Sequence, residues 1–429
     1  MAETDLNFGI AKLGECRIPS PMSGVRFVQD EERVLVNAGF REMKKFLEEA
    51  KEPLAMEIAG PRERIYFDPS KLKCGIVTCG GLCPGLNDVI RAIVMSLSHH
   101  YGVKTIYGFP FGYEGLSPKY GHTPPELTPQ TVSSIHRIGG TILGSSRGDQ
   151  DVSEMVDTLD RMNIGILFAV GGDGTLRGAR ALCQEVKRRG LKIALIGIPK
   201  TIDNDISYVE VSFGFDTAVS EARRVTYAAH SEAEGARNGI GLVKLMGRDS
   251  GFIAAYAALA DTQVNFCLVP EVPFKLETFL GALKERLEKS RHAVIVVGEG
   301  AGQDLMPPTG EKDASGNAKL NDIGIYLRDQ IKAFFSRQGI DINLKYFDPS
   351  YAIRSQPANA RDSAFCLLLG HVAVHAGMTG RTEMVVSFWR NEFTHLPIPM
   401  AVSRRKRIDP DGALWSSVIA STGQPKDLM

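Results

Sequence analysis

Ile164-Gly165-Ile166-Leu167-Phe168-Ala169-Val170 leads without a break into Gly171-Gly172-Asp173-Gly174-Thr175, and Thr175–Arg189 (TLRGARALCQEVKRR) then follows a helical pattern. The first run is short, β-branched and continuously apolar, so it reads as a strand buried on both faces. The same reading recurs at Cys74–Cys79, Thr105–Phe109, Ile193–Ile198, Ile240–Leu245, Val264–Val269, Ala293–Val297 and Met384–Phe388. Helical patterns lie between most of these runs, at Leu86–His99, Asp216–His230 and Phe252–Ala260 among others. Strands alternating with helices define an α/β protein with parallel sheets covered on both sides. More than six such units in 429 residues are too many for one core, so two α/β domains are expected.

Residues 1–70 lack this alternation. They hold loop-like stretches such as Ile18-Pro19-Ser20-Pro21 and one charged amphipathic segment, Gly39–Lys51. We read them as an N-terminal extension packed on the main body. Gln303–Lys319 is polar and rich in turn formers, and is expected to be an exposed, mobile loop.

The bulk composition excludes several classes. Lys plus Arg equals Asp plus Glu at 50 each, which argues against tracking a nucleic-acid backbone. A 43% hydrophobic content excludes disorder. Seven scattered cysteines resemble reduced thiols, and Cys79 and Cys83 lack a second pair at zinc spacing. The basic cluster Arg404–Arg407 reads as a solvated loop. With no long apolar run and no basic-then-apolar leader, the expected location is cytoplasmic, away from membranes. Glycine, at 44 residues, is in excess, and much of it sits where strands end.

In open parallel sheets, ligands bind beyond the carboxyl ends of strands. Three ends here are unusual. Cys79-Gly80-Gly81-Leu82-Cys83-Pro84-Gly85 would bring backbone close to a ligand at a helix start, yet no Lys-Ser or Lys-Thr follows as in a P-loop. Gly171–Thr175 (GGDGT) places a carboxylate among glycines at a helix start. That residue reads either as an N-cap or as a Mg²⁺ ligand beside nucleotide phosphates. Pro199-Lys200-Thr201-Ile202-Asp203-Asn204-Asp205 puts two carboxylates beyond a buried strand, where one could accept a hydroxyl proton in phosphoryl transfer.

GGDGT, PKTIDND and Met246-Gly247-Arg248-Asp249-Ser250-Gly251-Phe252, in this order, resemble the phosphofructokinase family over about Lys73–Arg390. The resemblance implies two Rossmann-like three-layer α/β domains with an active-site cleft between them. We place the donor domain at 71–214, completed by about 353–395. The sugar-phosphate domain is placed at 215–352, completed by about 396–429. The implied reaction moves a phosphoryl group to the 1-hydroxyl of fructose 6-phosphate. Asp203 matches the general base, Thr201 and Asp205 match neighbours around the transferring group, and Asp173 matches the Mg²⁺ ligand. Lys200 and Arg248 join Thr201, Asp203 and Asp205 as expected catalytic residues. On the donor side the matches are Gly81, Tyr113, Arg147, Gly172, Asp173, Gly174 and Thr175.

On the acceptor side they are Thr201, Asp203, Met246, Gly247, Arg248 and Glu299, with Lys345, Tyr351 and Arg354 at the spacing of the 6-phosphate clamp. Two of those three differ from the family's Arg, His and Arg. Arg237 is the candidate for an arginine serving a neighbouring subunit, in a homodimer or homotetramer. Pyrophosphate-using members carry Asp at the position of Gly174 and Lys at that of Lys200, while ordinary bacterial ATP enzymes carry Gly at both. The pairing here is that of a long-chain, ATP-using subgroup, and a carboxylate at 174 would oppose a nucleotide phosphate. ATP is therefore the expected donor, with pyrophosphate the alternative. At the effector site of short bacterial members Arg91 fits but Met95 does not, so that site is expected to be altered. NAD and lipid kinases share GGDGT but lack counterparts of PKTIDND and MGRDSGF. A non-catalytic regulatory subunit is disfavoured by the retained Asp173, Asp203 and Asp205.

Overall fold

The computed structural model describes residues 6–49, 52–312, 316 and 318–429. It divides into two compact units, one of Met1–Thr201, Ile206–Gly214 and Pro357–Arg404, the other of Ile202–Asp205, Phe215–Gln356 and Arg405–Met429.

Among the described residues, the first unit is built on an eight-stranded sheet. Its strand order is Arg33–Leu35, Ala55–Ile58, Glu392–Pro397, Met384–Trp389, Ala194–Pro199, Ile164–Gly171, Lys73–Thr78, Thr105–Phe109. The last five are mutually parallel, as continuous apolar strands require. The first three each pair antiparallel with the next strand in the order, which adds to the expected parallel sheet. The reason is local. Met384–Trp389 returns as Glu392–Pro397 through a two-residue turn in which Arg390 and Asn391 both take left-handed angles, φ 52° and 65°. Such a turn matches the twist of a hairpin. Ala55–Ile58 then pairs with the returning strand, so part of the N-terminal extension belongs to the main sheet.

The second unit holds a four-stranded parallel sheet in the order Phe266–Leu268, His292–Gly298, Gly239–Leu245, Asn343–Phe347. Val264–Val269 shortens to Phe266–Leu268 because the Asn265 side chain accepts the Val294 N–H (2.9 Å) in place of a ladder bond. The amphipathic segment forms a helix over Phe40–Glu48, while Ala50 and Lys51 lie outside the described residues. The polar loop turns back on itself, with Thr309 Oγ1 donating to the Lys319 carbonyl at 2.9 Å. Its Asp313–Ser315 and Asn317 lie outside the described residues, as do residues 1–5. No helix among the described residues is long and apolar enough to cross a membrane.

A buried ionic group fastens the extension to the hairpin. Arg381, 1% exposed, donates to Glu57 and, at 2.8 Å, to Asp30. Arg62 also reaches Asp30 (3.0 Å), and His395 Nδ1 lies 3.2 Å from Glu57. Burial by itself would raise the Glu57 carboxyl, but His395 and Arg381 hold it well below the carboxylate range. Burial pushes His395 down to about 4 against the pull of Glu57, and pushes His375, beside His371 and His100, down to about 3. Below the unfolded value of 6.5, the unfolded chain binds protons that these two buried imidazoles refuse. Stability therefore falls as pH drops from about 6.5 towards 4. Urea midpoints measured from pH 7 to pH 5 are expected to decrease steadily, and a flat profile would contradict the burial of both rings.

Candidate active site

Three strand ends meet at one edge of the first sheet. Cys79 N–H donates to Val170 O (2.9 Å) and Lys200 N–H to Gly171 O (3.0 Å), so the turns at 79–85, 171–175 and 199–201 are neighbours. The first turn opens a helix over Leu86–His100 through Gly85, whose φ of 98° and contact with Cys366 leave no room for a side chain. Asn87 holds the arginine-bearing loop, donating to Ile138 O (2.9 Å) and accepting from Ile142 N–H (2.8 Å). Ser145 Oγ donates to Gly80 O at 2.6 Å, and Arg147 emerges exposed at the end of that loop.

Lys200 is buried and its ammonium donates to the Gly81 carbonyl, which ties the third turn to the first. Asp173 begins the helix Asp173–Arg188 and pairs with Arg177 at 3.0 Å. A Cβ at Gly172 would lie 3.3 Å from Lys200 O, whereas one at Gly174 would meet nothing within 4 Å. Packing therefore leaves position 174 open to a larger residue. Tyr113 is turned into the core, where its hydroxyl donates to Thr175 O at 2.7 Å, so it supports the glycine turn from beneath.

In the second unit, Asp203 and Asp205 flank Asn204, which takes a left-handed φ of 53°. Asparagine tolerates that conformation, and it reverses the chain between the two half-buried carboxylates. Met246–Arg248 follows the strand Gly239–Leu245. Gly247 has φ 129°, and a Cβ there would lie 2.4 Å from Ser250 O, so this turn needs glycine. Glu299, just beyond the strand His292–Gly298, accepts the Arg248 N–H at 3.1 Å. The Arg248 guanidinium donates to Ala318 O.

Tyr351 and Arg354 share the short helix Ser350–Arg354, with the guanidinium 4.7 Å from the ring centre. Lys345 is exposed and opposite Gly241 in mid-strand, and Arg237 is exposed before that strand begins. At about 3.3 Å per residue, Arg237 lies roughly 20 Å from the Met246 end. The structure thus groups Met246, Gly247, Arg248 and Glu299, but brings neither Lys345 nor Arg237 to that turn.

Three residues were missed by sequence reasoning. Lys244 is bonded to Asp322 (2.7 Å) and Asp348 (2.8 Å), fixing the loop that leads to Tyr351 and Arg354. Burial would lower its ammonium, but the two carboxylates raise it. A lysine inside an apolar strand was the signal. Glu271 accepts the Gly251 and Ile408 N–H groups, both at 2.9 Å. Arg405 corrects the reading of the basic cluster as a solvated loop, because it is partly buried and pairs with Asp249 at 2.7 Å.

Glycine-rich turns at strand ends in one α/β unit and the carboxylates Asp203 and Asp205 in the other are the pattern of a phosphoryl-transfer enzyme. The phosphofructokinase family model matches residues 73–377, and the chain belongs to that family. It is 49% identical over 440 residues to an ATP-dependent 6-phosphofructokinase of Borreliella burgdorferi, covering 98% of this chain and 97% of that protein. A protein of the same name from Amycolatopsis methanolica is 49% identical over 433 residues, covering 97% and 94%. In fold it resembles a pyrophosphate-dependent phosphofructokinase from Nitrosospira multiformis, with TM-score 0.68, 18% identity and coverage of 83% and 93%.

Proposed function

We infer that the chain is an ATP-dependent 6-phosphofructokinase, transferring the γ-phosphoryl group of ATP to the 1-hydroxyl of fructose 6-phosphate. The observation that carries this reading is the convergence of the Gly80–Gly81, Gly171–Thr175 and Lys200–Thr201 turns at one sheet edge. The Lys200 ammonium suits a polyphosphate, as do the backbone N–H groups of these turns other than those of Gly80 and Lys200, which donate to Ser146 O and Gly171 O. Asp203 takes the proton of the attacking hydroxyl, and Thr201 and Asp205 flank it. Gly81, Arg147, Gly172, Gly174 and Thr175 serve the donor, with Tyr113 acting from below.

Met246, Gly247, Arg248 and Glu299 hold the sugar, and Arg354, with Tyr351, serves the 6-phosphate, while Lys345 stands too far back along its strand to join them. Mg²⁺ is held by Asp173, whose carboxylate stands at a helix start beside exposed glycine. Among the described residues no group of three or more ligating side chains could hold a metal. The ion would be taken through the Asp173 carboxylate and substrate phosphates, and would supply neutralisation of developing charge. The exposed Arg237 suits a neighbouring copy in a homodimer or homotetramer.

The test is ³¹P NMR of the product. ADP and a new phosphate on carbon 1 should appear together, and only when fructose 6-phosphate is present. ADP release without it would overturn the acceptor.

A further inference from the structure

The segment Arg405–Ile408 is laced onto two loops at once. Lys406 N–H donates to Asp205 O (2.7 Å), and Ser250 Oγ donates to Lys406 O (2.7 Å). Ile408 N–H shares Glu271 with Gly251 N–H. These bonds are made by backbone and by neighbouring side chains, so they fix the segment whatever residue stands at 405. The Arg405 side chain does something else. One of its nitrogens lies 2.7 Å from Asp249 and 3.6 Å from Asp205. A single cation thus stands between a carboxylate of the Asp203 turn and one of the Met246–Asp249 turn. Arg248 also approaches Asp249, at 4.0 Å, so of these two guanidinium groups Arg405 is the closer, and it also reaches Asp205. Its loss weakens the attraction drawing the two turns together.

We propose that Arg405 is a positioning residue that holds Asp205, and through it the Asp203 turn, in register with the acceptor turn. This rests on the function proposed above. Its contribution is geometric: a charge-assisted hydrogen bond fixes the guanidinium on Asp249, and from there its charge attracts the Asp205 carboxylate at 3.6 Å.

The test is a double-mutant cycle on the full-length protein, reading kcat, KM for both substrates and Tm. Arg405→Gln should lower kcat about 30-fold, the scale expected for a displacement under 1 Å, with the ATP KM changed less than about threefold. In an Asp205→Asn background the same substitution should cost less than about threefold, since the group it acts through is already altered. Arg405→Lys should recover much of the loss, and it supplies the same cycle if the glutamine variant does not accumulate. An unchanged kcat, or an equal loss in both backgrounds, would overturn the proposal and assign Arg405 to folding alone. The cycle is run with whichever donor the native protein uses. A change of donor therefore refutes the donor assignment while this test stays in force.

Discussion

Asp203→Ser is expected to lower kcat by at least about 10²-fold and as much as about 10⁴-fold, the range for removing a positioned general base. The Asp203 carboxylate is half-buried in a turn whose direction is set by Asn204, so serine leaves the backbone course intact. The 1-hydroxyl still binds but keeps its proton until water removes it. KM for fructose 6-phosphate should therefore change only a few-fold, which marks an interaction made in the transition state. A loss confined to KM would remove Asp203 from the chemistry.

Gly174→Asp is expected to act on the donor and leave the fold alone. A Cβ at 174 meets nothing within 4 Å, and the position lies in the first turn of a helix, where an acid is favourable. Tm should hold or rise slightly. Opposing a carboxylate to a nucleotide phosphate costs roughly 3 kcal/mol, so kcat/KM for ATP should fall about 10²-fold. Pyrophosphate, which is smaller, would be less affected. If ATP use survives the substitution, Gly174 does not determine the donor.

Much of the scaffold was legible because periodicity is local. Phe252–Ala260 was read as a helix and is one, and Ile164–Val170 extends by one residue to Gly171. What escaped depends on partners far along the chain. Ala55–Ile58 is short and carries a buried glutamate, whose partners Arg381 and His395 lie more than 300 residues downstream. Lys244 was invisible as a brace because Asp322 and Asp348 are supplied by later loops. The strand Asn343–Phe347 alternates partly exposed residues at a sheet edge, so it lacks the continuous apolar run that marked the others.

At the site, the glycine turns could be read because close approach of backbone requires a particular residue type. Which way an aromatic side chain faces is set by packing alone. Tyr113 was read as flanking a nucleotide, but the structure turns its ring into the core and its hydroxyl to Thr175 O. Arg405 shows the same limit from the other side. Four consecutive basic residues look like a solvated run until the acids that meet one of them are known.

This chain phosphorylates fructose 6-phosphate from ATP. Initial rates on the purified protein, with fructose 6-phosphate and Mg²⁺ and with ATP or pyrophosphate as donor, test it most directly. Turnover is expected with ATP, and at most a trace with pyrophosphate. Turnover with pyrophosphate and none with ATP would contradict it.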